Sequence, residues 1–394
     1  MQLDERLKDF IASNINEDTS RLLLSRERHE DIDIKKAVEQ IECRRAIKDK
    51  LPDWYECHSL VFPSKLAAEQ CSSIHTARYK QRLVEASESL IDLTGGLGVD
   101  ASHFANKCSK VIYIEREAHY CQCAKHNFCE LGLTNIEVIN TDAVEFIKTA
   151  SADTIYLDPA RRKEAQGKRF YAIEDCQPDL ATIWQELKIK ASRSVIVKLS
   201  PMLDIKQALS ILPFVEEIHI LSVKNDCKEI LFITKRDTPK DYSPKIICID
   251  LSPDTEKKFE FNFQTEQEAT TEIASDVGEY LYEPNVSIMK GGAYKSVAQV
   301  FGLKKLDRHT HLYTSSIFAE DFPGRCFRVQ KHYSFDKNTQ RFLTKSIDQA
   351  NISIRNFPIS VDEIRRKFRI AEGGDLYMFF TTMNGKKVVF ECIK

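Results

Sequence analysis

The residues best suited to chemistry lie in one glycine-rich segment, Asp92-Leu93-Thr94-Gly95-Gly96-Leu97-Gly98. Glycines let the backbone turn tightly and approach a ligand without a Cβ atom in the way, and a following helix supplies oriented N–H groups. The segment alone is ambiguous, because Gly96-x-Gly98-x-x-Ala101 also satisfies the dinucleotide fingerprint of nicotinamide and flavin enzymes. We predict that this segment binds a cofactor through Asp92, Thr94, Gly95, Gly96 and Gly98.

Three acidic residues bear on which cofactor this is. Asp92 precedes the glycines, where its charge favours the cationic sulfonium of S-adenosylmethionine (SAM) over a pyrophosphate. Glu115 closes the second predicted strand and can accept hydrogen bonds from both ribose hydroxyls, although dinucleotide enzymes share that feature. Asp142 follows the third predicted strand, where a carboxylate can accept from the adenine amino group. Together they predict a SAM site.

The candidate catalytic residues follow the fourth and fifth predicted strands. SAM carries an activated methyl group, so the protein mainly has to align the acceptor with it. Asp158 can accept a hydrogen bond from an attacking amine and orient it, and Arg161 and Lys198 are further catalytic candidates. Lys198 either points into the site or snorkels at the sheet edge. Arg162 either contacts a substrate phosphate or faces solvent.

A cysteine mechanism for carbon methylation is disfavoured. Such a mechanism needs a nucleophilic cysteine near the fourth or sixth motif. The fifth strand instead ends Lys198-Leu199-Ser200-Pro201, and Cys176 lacks a Pro-Cys or Ser-Cys context.

The elements that must position these residues are short apolar runs separated by helical stretches. The runs cover residues 90–93, 111–114, 136–139, 154–157 and 195–199, a pattern typical of βαβ units and a parallel sheet. Two further runs, 215–223 and 229–234, are joined by a short polar link that suits an antiparallel hairpin. We therefore predict an α/β fold with a Rossmann-like, doubly wound, seven-stranded sheet.

Residues 88–235 resemble class I SAM-dependent methyltransferases in these motifs. The whole chain is similar to a bacterial group in that class, which has a helical N-terminal part, a small ferredoxin-like domain and a C-terminal THUMP-like domain. Class I enzymes acting on nucleobase amines often carry Asp/Asn-Pro-Pro and an aromatic residue after the fourth strand. Here Pro159-Ala160-Arg161 stands in its place, so aromatic base stacking and a preference for adenine or guanine do not carry over.

The segment before the first strand is polar for a core helix. In class I enzymes this segment often folds over SAM, and the resemblance implies that Ser72, Ser73 and Thr76 touch the methionine end. An amphipathic packing helix explains the same pattern equally well.

Four regions are expected. Residues 1–80 read as helical, 81–235 form the methyltransferase domain, and a turn-rich linker follows Lys235. Residues 236–318 and 319–394 are expected to form small α+β domains, the first ferredoxin-like and the second THUMP-like.

Composition indicates a soluble cytoplasmic protein. The 394 residues are 42% hydrophobic and 29% charged, and no apolar run reaches the length of a membrane span or signal peptide. The twelve cysteines are read as reduced thiols. No Cys-x-x-Cys pair occurs, and the group from His119 to Cys129 lacks zinc spacing, so we predict no metal.

A basic C-terminal region points to RNA. Residues 319–394 hold fourteen Lys and Arg and nine Asp and Glu, a net charge of +5, although the whole chain carries -2. The cluster Arg365, Arg366 and Lys367 fits a phosphate-contacting surface for structured RNA, or else a solvated helix face.

The leading hypothesis is thus a methyltransferase acting on a nucleobase amine of structured RNA. A small-molecule or protein methyltransferase, a nucleotide-linked oxidoreductase and a catalytically silent RNA-binding protein remain as alternatives. The sequence leaves the target atom, the RNA and the oligomeric state open.

Overall fold

The computed structural model describes residues 3–24, 31–86, 88–161, 173, 176–239, 242–252 and 255–394. The chain divides into two compact units. Unit 1 comprises Met1–Ile218 and Glu229–Tyr242, and unit 2 comprises His219–Lys228 and Ser243–Lys394.

Unit 1 begins with helices α1 (Glu5–Ser13), α2 (Thr19–Leu24), α3 (Ile34–Ile47), α4 (Pro52–Glu56), α5 (Lys65–Gln70) and α6 (Ile74–Arg82). Side chains cap several of them, since Asp4, Asp33, Ser64 and Ser73 each accept a hydrogen bond from a backbone N–H of the first turn. The proline that breaks the pattern after α3 occupies the first turn of α4, where its missing N–H costs nothing.

The parallel sheet of unit 1 confirms the predicted Rossmann-like architecture. Its strands are β1 (Ser89–Asp92), β2 (Lys110–Glu115), β3 (Ile136–Asn140), β4 (Ala152–Leu157) and β7 (Ala191–Leu199). They lie in the order β7-β4-β1-β2-β3, all parallel, and β9 (Asp226–Lys235) pairs antiparallel with β7. Between the strands lie α7 (Val99–Ala105), α8 (Ala118–Glu130), α9 (Ala143–Ile147), α10 (Leu180–Lys190) and α11 (Ile205–Ile211), while β5 (Ala160–Arg161) pairs with β6 (Cys176–Gln177).

β4 and β7 both begin before the apolar runs that predicted them, at Ala152 and Ala191. Their first residues include polar side chains that pair across the sheet, since Ser192 Oγ donates to Asp153 Oδ1 at 2.7 Å. Hydrophobicity alone therefore missed these residues.

The hairpin link is also shorter than predicted. Lys224 and Asn225 have φ values of 53° and 58°, the left-handed conformation that two-residue hairpin turns require. The polar residues after them already belong to β9, which starts at Asp226.

Unit 2 contains two sets of strands. β10 (Lys245–Leu251) pairs antiparallel with β11 (Glu256–Asn262) and also adjoins β8 (Glu217–Val223). The other set comprises seven strands, β12 (Tyr280–Pro284), β13 (Lys304–Asp307), β14 (Thr310–Ser315), β15 (Gly324–Ser334), β16 (Asn351–Arg355), β17 (Tyr377–Met383) and β18 (Lys386–Ile393). They form one sheet in the order β13-β14-β12-β15-β18-β17-β16. The helices of unit 2 are α12 (Phe263–Glu268), α13 (Val286–Gly291), α14 (Ser296–Val300), α15 (Lys337–Ser346) and α16 (Val361–Phe368).

One core underlies this sheet on both sides of residue 319. Leu281 and Leu312, which precede that point, pack in the same cluster as Phe327, Phe379 and Phe390, which follow it. A cut near residue 319 would therefore expose the core of the sheet.

Among the described residues, no helix is both long enough and apolar enough to cross a bilayer.

Candidate functional site

The glycine-rich loop joins β1 to α7 in unit 1, at the carboxyl edge of the parallel sheet. Gly98 caps α7 with a φ of 87°, and an added Cβ there would lie 2.8 Å from Phe128 Cζ. A Cβ on Gly95 would lie 2.1 Å from the Tyr113 ring. Aromatic packing therefore requires these two glycines. Gly96, with a φ of 55°, has its nearest neighbour 3.8 Å from the added Cβ, so it is the glycine whose surface is open to a ligand.

Asp92 is a buried carboxylate with no cationic partner among the described residues. It is 1% exposed, and its Oδ1 accepts a hydrogen bond of 3.1 Å from Thr94 N. Burial raises the pKa of Asp92 well above its usual range, and the negative charges of Asp100, Asp158 and Glu115 add to the effect. A positively charged ligand group beside this carboxylate would offset that penalty.

Glu115 lies at the end of β2 against the same loop. Its Oε2 accepts from Gly96 N at 3.1 Å, and its Oε1 accepts from Glu117 N at 2.9 Å. Asp142 follows β3, whose Asn140 is the register partner of Glu115. Its Oδ1 accepts from Val144 N at 2.8 Å and so caps α9. Both acids thus follow neighbouring strands at one edge.

Asp158 and Lys198 meet at the ends of β4 and β7. Lys198 Nζ donates to Asp158 Oδ2 over 2.5 Å, and Asp158 N donates to Thr94 Oγ1 over 2.6 Å. Burial lowers the pKa of Lys198, but the attraction of nearby carboxylates, Asp158 first, outweighs burial and raises it. Lys198 is therefore a permanent cation at this position, and Asp158 is tied to the glycine-rich loop.

A buried polar network lies next to this pair, and of its members the sequence analysis named only Ser72. Lys80, with no exposed surface, donates to Ser72 Oγ and Glu229 Oε1 at 2.8 Å each. Its Nζ is 3.1 Å from Asp100 Oδ1. Tyr156 OH donates to Asp100 Oδ2 over 2.7 Å. The available signal was a lysine on the helical face that also carries the apolar Ile74 and Ala77.

Charge pairing decides the ionisation of Asp100. Burial alone would raise the pKa of Asp100, but Lys80, Lys198 and the hydrogen bonds from Tyr156 and Ser72 lower it to about 2. The negative charge of Asp100 is therefore balanced by lysines of the protein, whereas no cation among the described residues pairs with Asp92.

The three polar residues before β1 are engaged within the protein. Ser72 Oγ donates to Asp100 Oδ2 at 2.8 Å and lies 3.4 Å from Lys198 Nζ. Ser73 caps α6, accepting from Thr76 N, and Thr76 Oγ1 donates to Ser73 O. Ser72 thus borders the site through Lys198, while Ser73 and Thr76 satisfy the helix terminus.

The remaining predicted residues lie elsewhere. Arg161 belongs to β5, and its side chain is not described; Arg162 lies outside the described residues. Arg365, Arg366 and Lys367 belong to α16 of unit 2. Arg365 donates to the carbonyls of Ala350 and Ile370 at 3.3 Å, whereas Arg366 and Lys367 are exposed.

In the part of the chain that the structure describes, no group of three or more His, Cys, Asp or Glu side chains has an arrangement that could hold a metal ion.

Family models match the C-terminal part of the chain: a ferredoxin-like domain matches residues 280–323, and a THUMP domain-like model matches residues 324–394. The chain is similar over its full length to a solved structure named as a putative methyltransferase from Porphyromonas gingivalis W83. The two share 35% identity, with 100% of each chain covered and a TM-score of 0.88.

Other solved structures match a smaller part of the chain. A precorrin 8w decarboxylase from Methanobacterium thermoautotrophicum shares 17% identity over 42% of this chain and 91% of its own, with a TM-score of 0.31. A putative SAM-dependent methyltransferase from Streptococcus mutans shares 11% identity over 41% of this chain and 48% of its own, with a TM-score of 0.34. No curated protein sequence matches.

Proposed function

The chain belongs to the methyltransferase family represented by the Porphyromonas gingivalis W83 protein, and on that premise we propose that it transfers the methyl group of SAM to a nucleobase amine of a structured RNA. The observation that carries the cofactor assignment is Asp92. It is a buried carboxylate with a raised pKa and no cationic partner among the described residues, at the edge of a glycine-rich loop.

The residues around the loop fit SAM. The carboxylate of Asp92 balances the positive charge of the ligand, and Glu115, already held against Gly96, accepts from ribose hydroxyls. Asp142 uses Oδ1 to cap α9 and accepts from the adenine amino group through its other oxygen. A dinucleotide pyrophosphate would instead place negative charge beside a buried acid, which is unfavourable.

The acceptor side is formed by Asp158 and its neighbours. SAM supplies an activated methyl group, so the protein has to bind and orient the attacking nitrogen. Asp158 accepts a hydrogen bond from the amine, and Lys198 and Thr94 fix the position of Asp158. The raised pKa of Lys198 excludes a neutral amine base at this point.

The RNA assignment rests on unit 2. Its last 76 residues, 319–394, carry a net charge of +5 and include the residues matched by the THUMP domain-like model. Positive charge on the surface favours phosphate contacts. We propose that unit 2 docks the RNA. We also propose that the protein acts in the cytoplasm. Its proposed functional regions are residues 1–80, 81–235, 236–318 and 319–394.

Calorimetric titration of the full-length protein with SAM, and separately with NAD and NADP, tests the cofactor. We expect saturable binding of SAM and none of the dinucleotides. Binding of a dinucleotide without SAM would favour an oxidoreductase and overturn the proposal. Binding of neither would leave a catalytically silent RNA-binding protein as the better account.

A further inference from the structure

A buried glutamate in unit 2 is shared by two arginines from different strands. Glu283 of β12 is 2% exposed. Arg325 of β15 donates from Nε to Glu283 Oε2 at 2.7 Å, and Arg355 of β16 has its Nη2 2.5 Å from Glu283 Oε1. β12 and β15 are direct neighbours, whereas β16 is the last strand in the sheet order, so the carboxylate joins distant parts of the sheet.

The charges of this triad do not cancel. One carboxylate balances one guanidinium, which leaves a net charge of +1. Among the described residues, neither arginine forms another ion pair. The side chains of Arg325 and Arg355 are 35% and 37% exposed, so solvent reaches part of both side chains while the carboxylate stays buried. The triad therefore keeps one unit of positive charge on two partly exposed arginine side chains.

The surroundings of Arg355 are also positive. Burial first, and then the charges of Lys305, His309 and Arg355, lower the pKa of His311 to about 4. The Nδ1 atom of His311 is buried and has no hydrogen-bond partner among the described residues. Each of these three groups acts more strongly on the pKa of His311 than the nearby carboxylate of Glu266, which raises it.

Donor groups remain available for a ligand. Arg325 uses Nε and Nη2 toward Glu283, and Nη2 is also 3.4 Å from Ser353 Oγ. Arg355 Nη2 forms an ion pair with Glu283 Oε1 without a hydrogen bond, and Arg355 Nη1 donates to Ile354 O at 2.7 Å. In the described part of the chain, Arg325 Nη1 and Arg355 Nε have no hydrogen-bond acceptor. Guanidinium groups fixed in this way match the oxygens of a phosphoryl group.

We propose that Arg325 and Arg355, held by Glu283, form a phosphate-binding site in unit 2. The ligand class is a phosphoryl group, supplied either by RNA or by free phosphate. The RNA source rests on the proposed function, whereas the site itself does not. Glu283 is a positioning residue, because it fixes the guanidinium groups and does not contact the ligand.

The test uses the full-length protein with three probes. These are inorganic phosphate, a short 5′-phosphorylated oligoribonucleotide and the same oligoribonucleotide without the 5′-phosphate, each titrated at low salt. The variants are Arg325→Lys and Arg355→Lys, which keep a cation beside Glu283. Arg328→Lys is the matched control, because Arg328 is an exposed arginine of the same strand that pairs with Glu279.

We expect each of the two variants to weaken phosphate binding about tenfold, the loss of one charge-assisted hydrogen bond, with no change in the control. If phosphate and phosphorylated RNA weaken together, RNA is the source. If only the affinity for inorganic phosphate falls, the site stands, its ligand is free phosphate, and RNA does not use it. Unchanged affinity for every probe, or no phosphate binding by the unmodified protein, would overturn the site even if RNA still binds.

A second measurement covers the case in which a lysine variant does not fold. The protein without substitutions is treated with phenylglyoxal, which modifies arginines, and the modified positions are mapped by mass spectrometry. Phosphate should slow the modification of Arg325 and Arg355 but not that of Arg328. Equal modification of all three arginines with and without phosphate would contradict the proposal.

Discussion

Lys198 and Asp158 form an ion pair across the ends of two neighbouring parallel strands, with Nζ and Oδ2 2.5 Å apart. β4 and β7 are in register at Leu157 and Val197, the residues just before this pair. The strand pairing therefore sets the distance between the two side chains. Lys198 therefore fixes the carboxylate of Asp158, which in the proposed function orients the methyl acceptor.

Replacement of Asp158 should separate binding from turnover. We expect Asp158→Ala to bind SAM almost normally but to methylate about 100-fold more slowly, because the acceptor is no longer aligned. Asp158→Asn should lose less, since its side-chain oxygen still accepts a hydrogen bond. Calorimetry and a single-turnover methylation assay provide the two readouts. Normal turnover in Asp158→Ala would show that this carboxylate only terminates a strand.

Replacement of Glu115 should weaken the cofactor. Glu115→Ala removes up to two charge-assisted hydrogen bonds to the ribose, about 2 to 3 kcal/mol, or roughly a 30- to 150-fold increase in Kd. Glu117→Ala is the matched control, because Glu117 is an exposed neighbour that contacts Glu115 only through its backbone N–H. If both variants bind SAM as the unmodified protein does, the ribose assignment is wrong.

Asp92→Asn should increase stability while it abolishes tight SAM binding. The pKa of Asp92 is higher in the folded protein than in the unfolded chain, so on raising the pH the unfolded chain loses this proton first. The free energy of unfolding therefore falls between the unfolded and the folded pKa of Asp92. Asparagine does not titrate, so Asp92→Asn removes this destabilisation. A gain of about 1 kcal/mol corresponds to about 2 to 4 °C in Tm for a domain of this size.

The same residue predicts a pH dependence of binding. Cationic SAM favours ionised Asp92, so binding should release a proton and tighten as the pH rises through the raised pKa. Calorimetry in two buffers of different ionisation enthalpy measures that proton. A lower Tm for Asp92→Asn, or no proton release by the unmodified protein, would remove Asp92 as the counter-charge.

Much of unit 1 could be predicted from its sequence, because the strands are short apolar runs and the acids follow them directly. Asp92, Glu115, Asp142 and Asp158 each stand just after or at the end of a strand, so parallel pairing brings them to one edge. These four carboxylates could therefore be placed at one edge of the sheet without knowledge of contacts between residues distant in sequence.

The Lys80 network could not be predicted, because its members are far apart in sequence. Glu229 is 149 positions from Lys80 and meets it only after the hairpin has paired with β7. Likewise, the requirement for Gly95 comes from the Tyr113 ring, which no local pattern reveals. Tertiary packing decided both.

The three basic residues of α16 differ in their surroundings, which the sequence did not reveal. Arg366→Gln with Lys367→Gln should lower RNA affinity and make the salt slope shallower by about one to two units, with no effect on stability. Arg365→Gln should cost about 1 kcal/mol of stability, because Arg365 donates to two backbone carbonyls. Lys386→Gln, an exposed change in β18, is the control in filter binding at several salt concentrations and in thermal melting. An unchanged salt slope in the double variant would remove α16 from the RNA-contacting surface.

The most direct test of the central claim is mass spectrometry of nucleosides from RNA of cells that lack the gene. This RNA is measured before and after incubation with the purified protein and SAM. We predict that one base-methylated nucleoside is missing from these cells, appears on incubation with the unmodified protein, and stays at background with Asp158→Ala. If no methylated nucleoside differs between cells with and without the gene, and none forms on incubation, the protein does not methylate RNA.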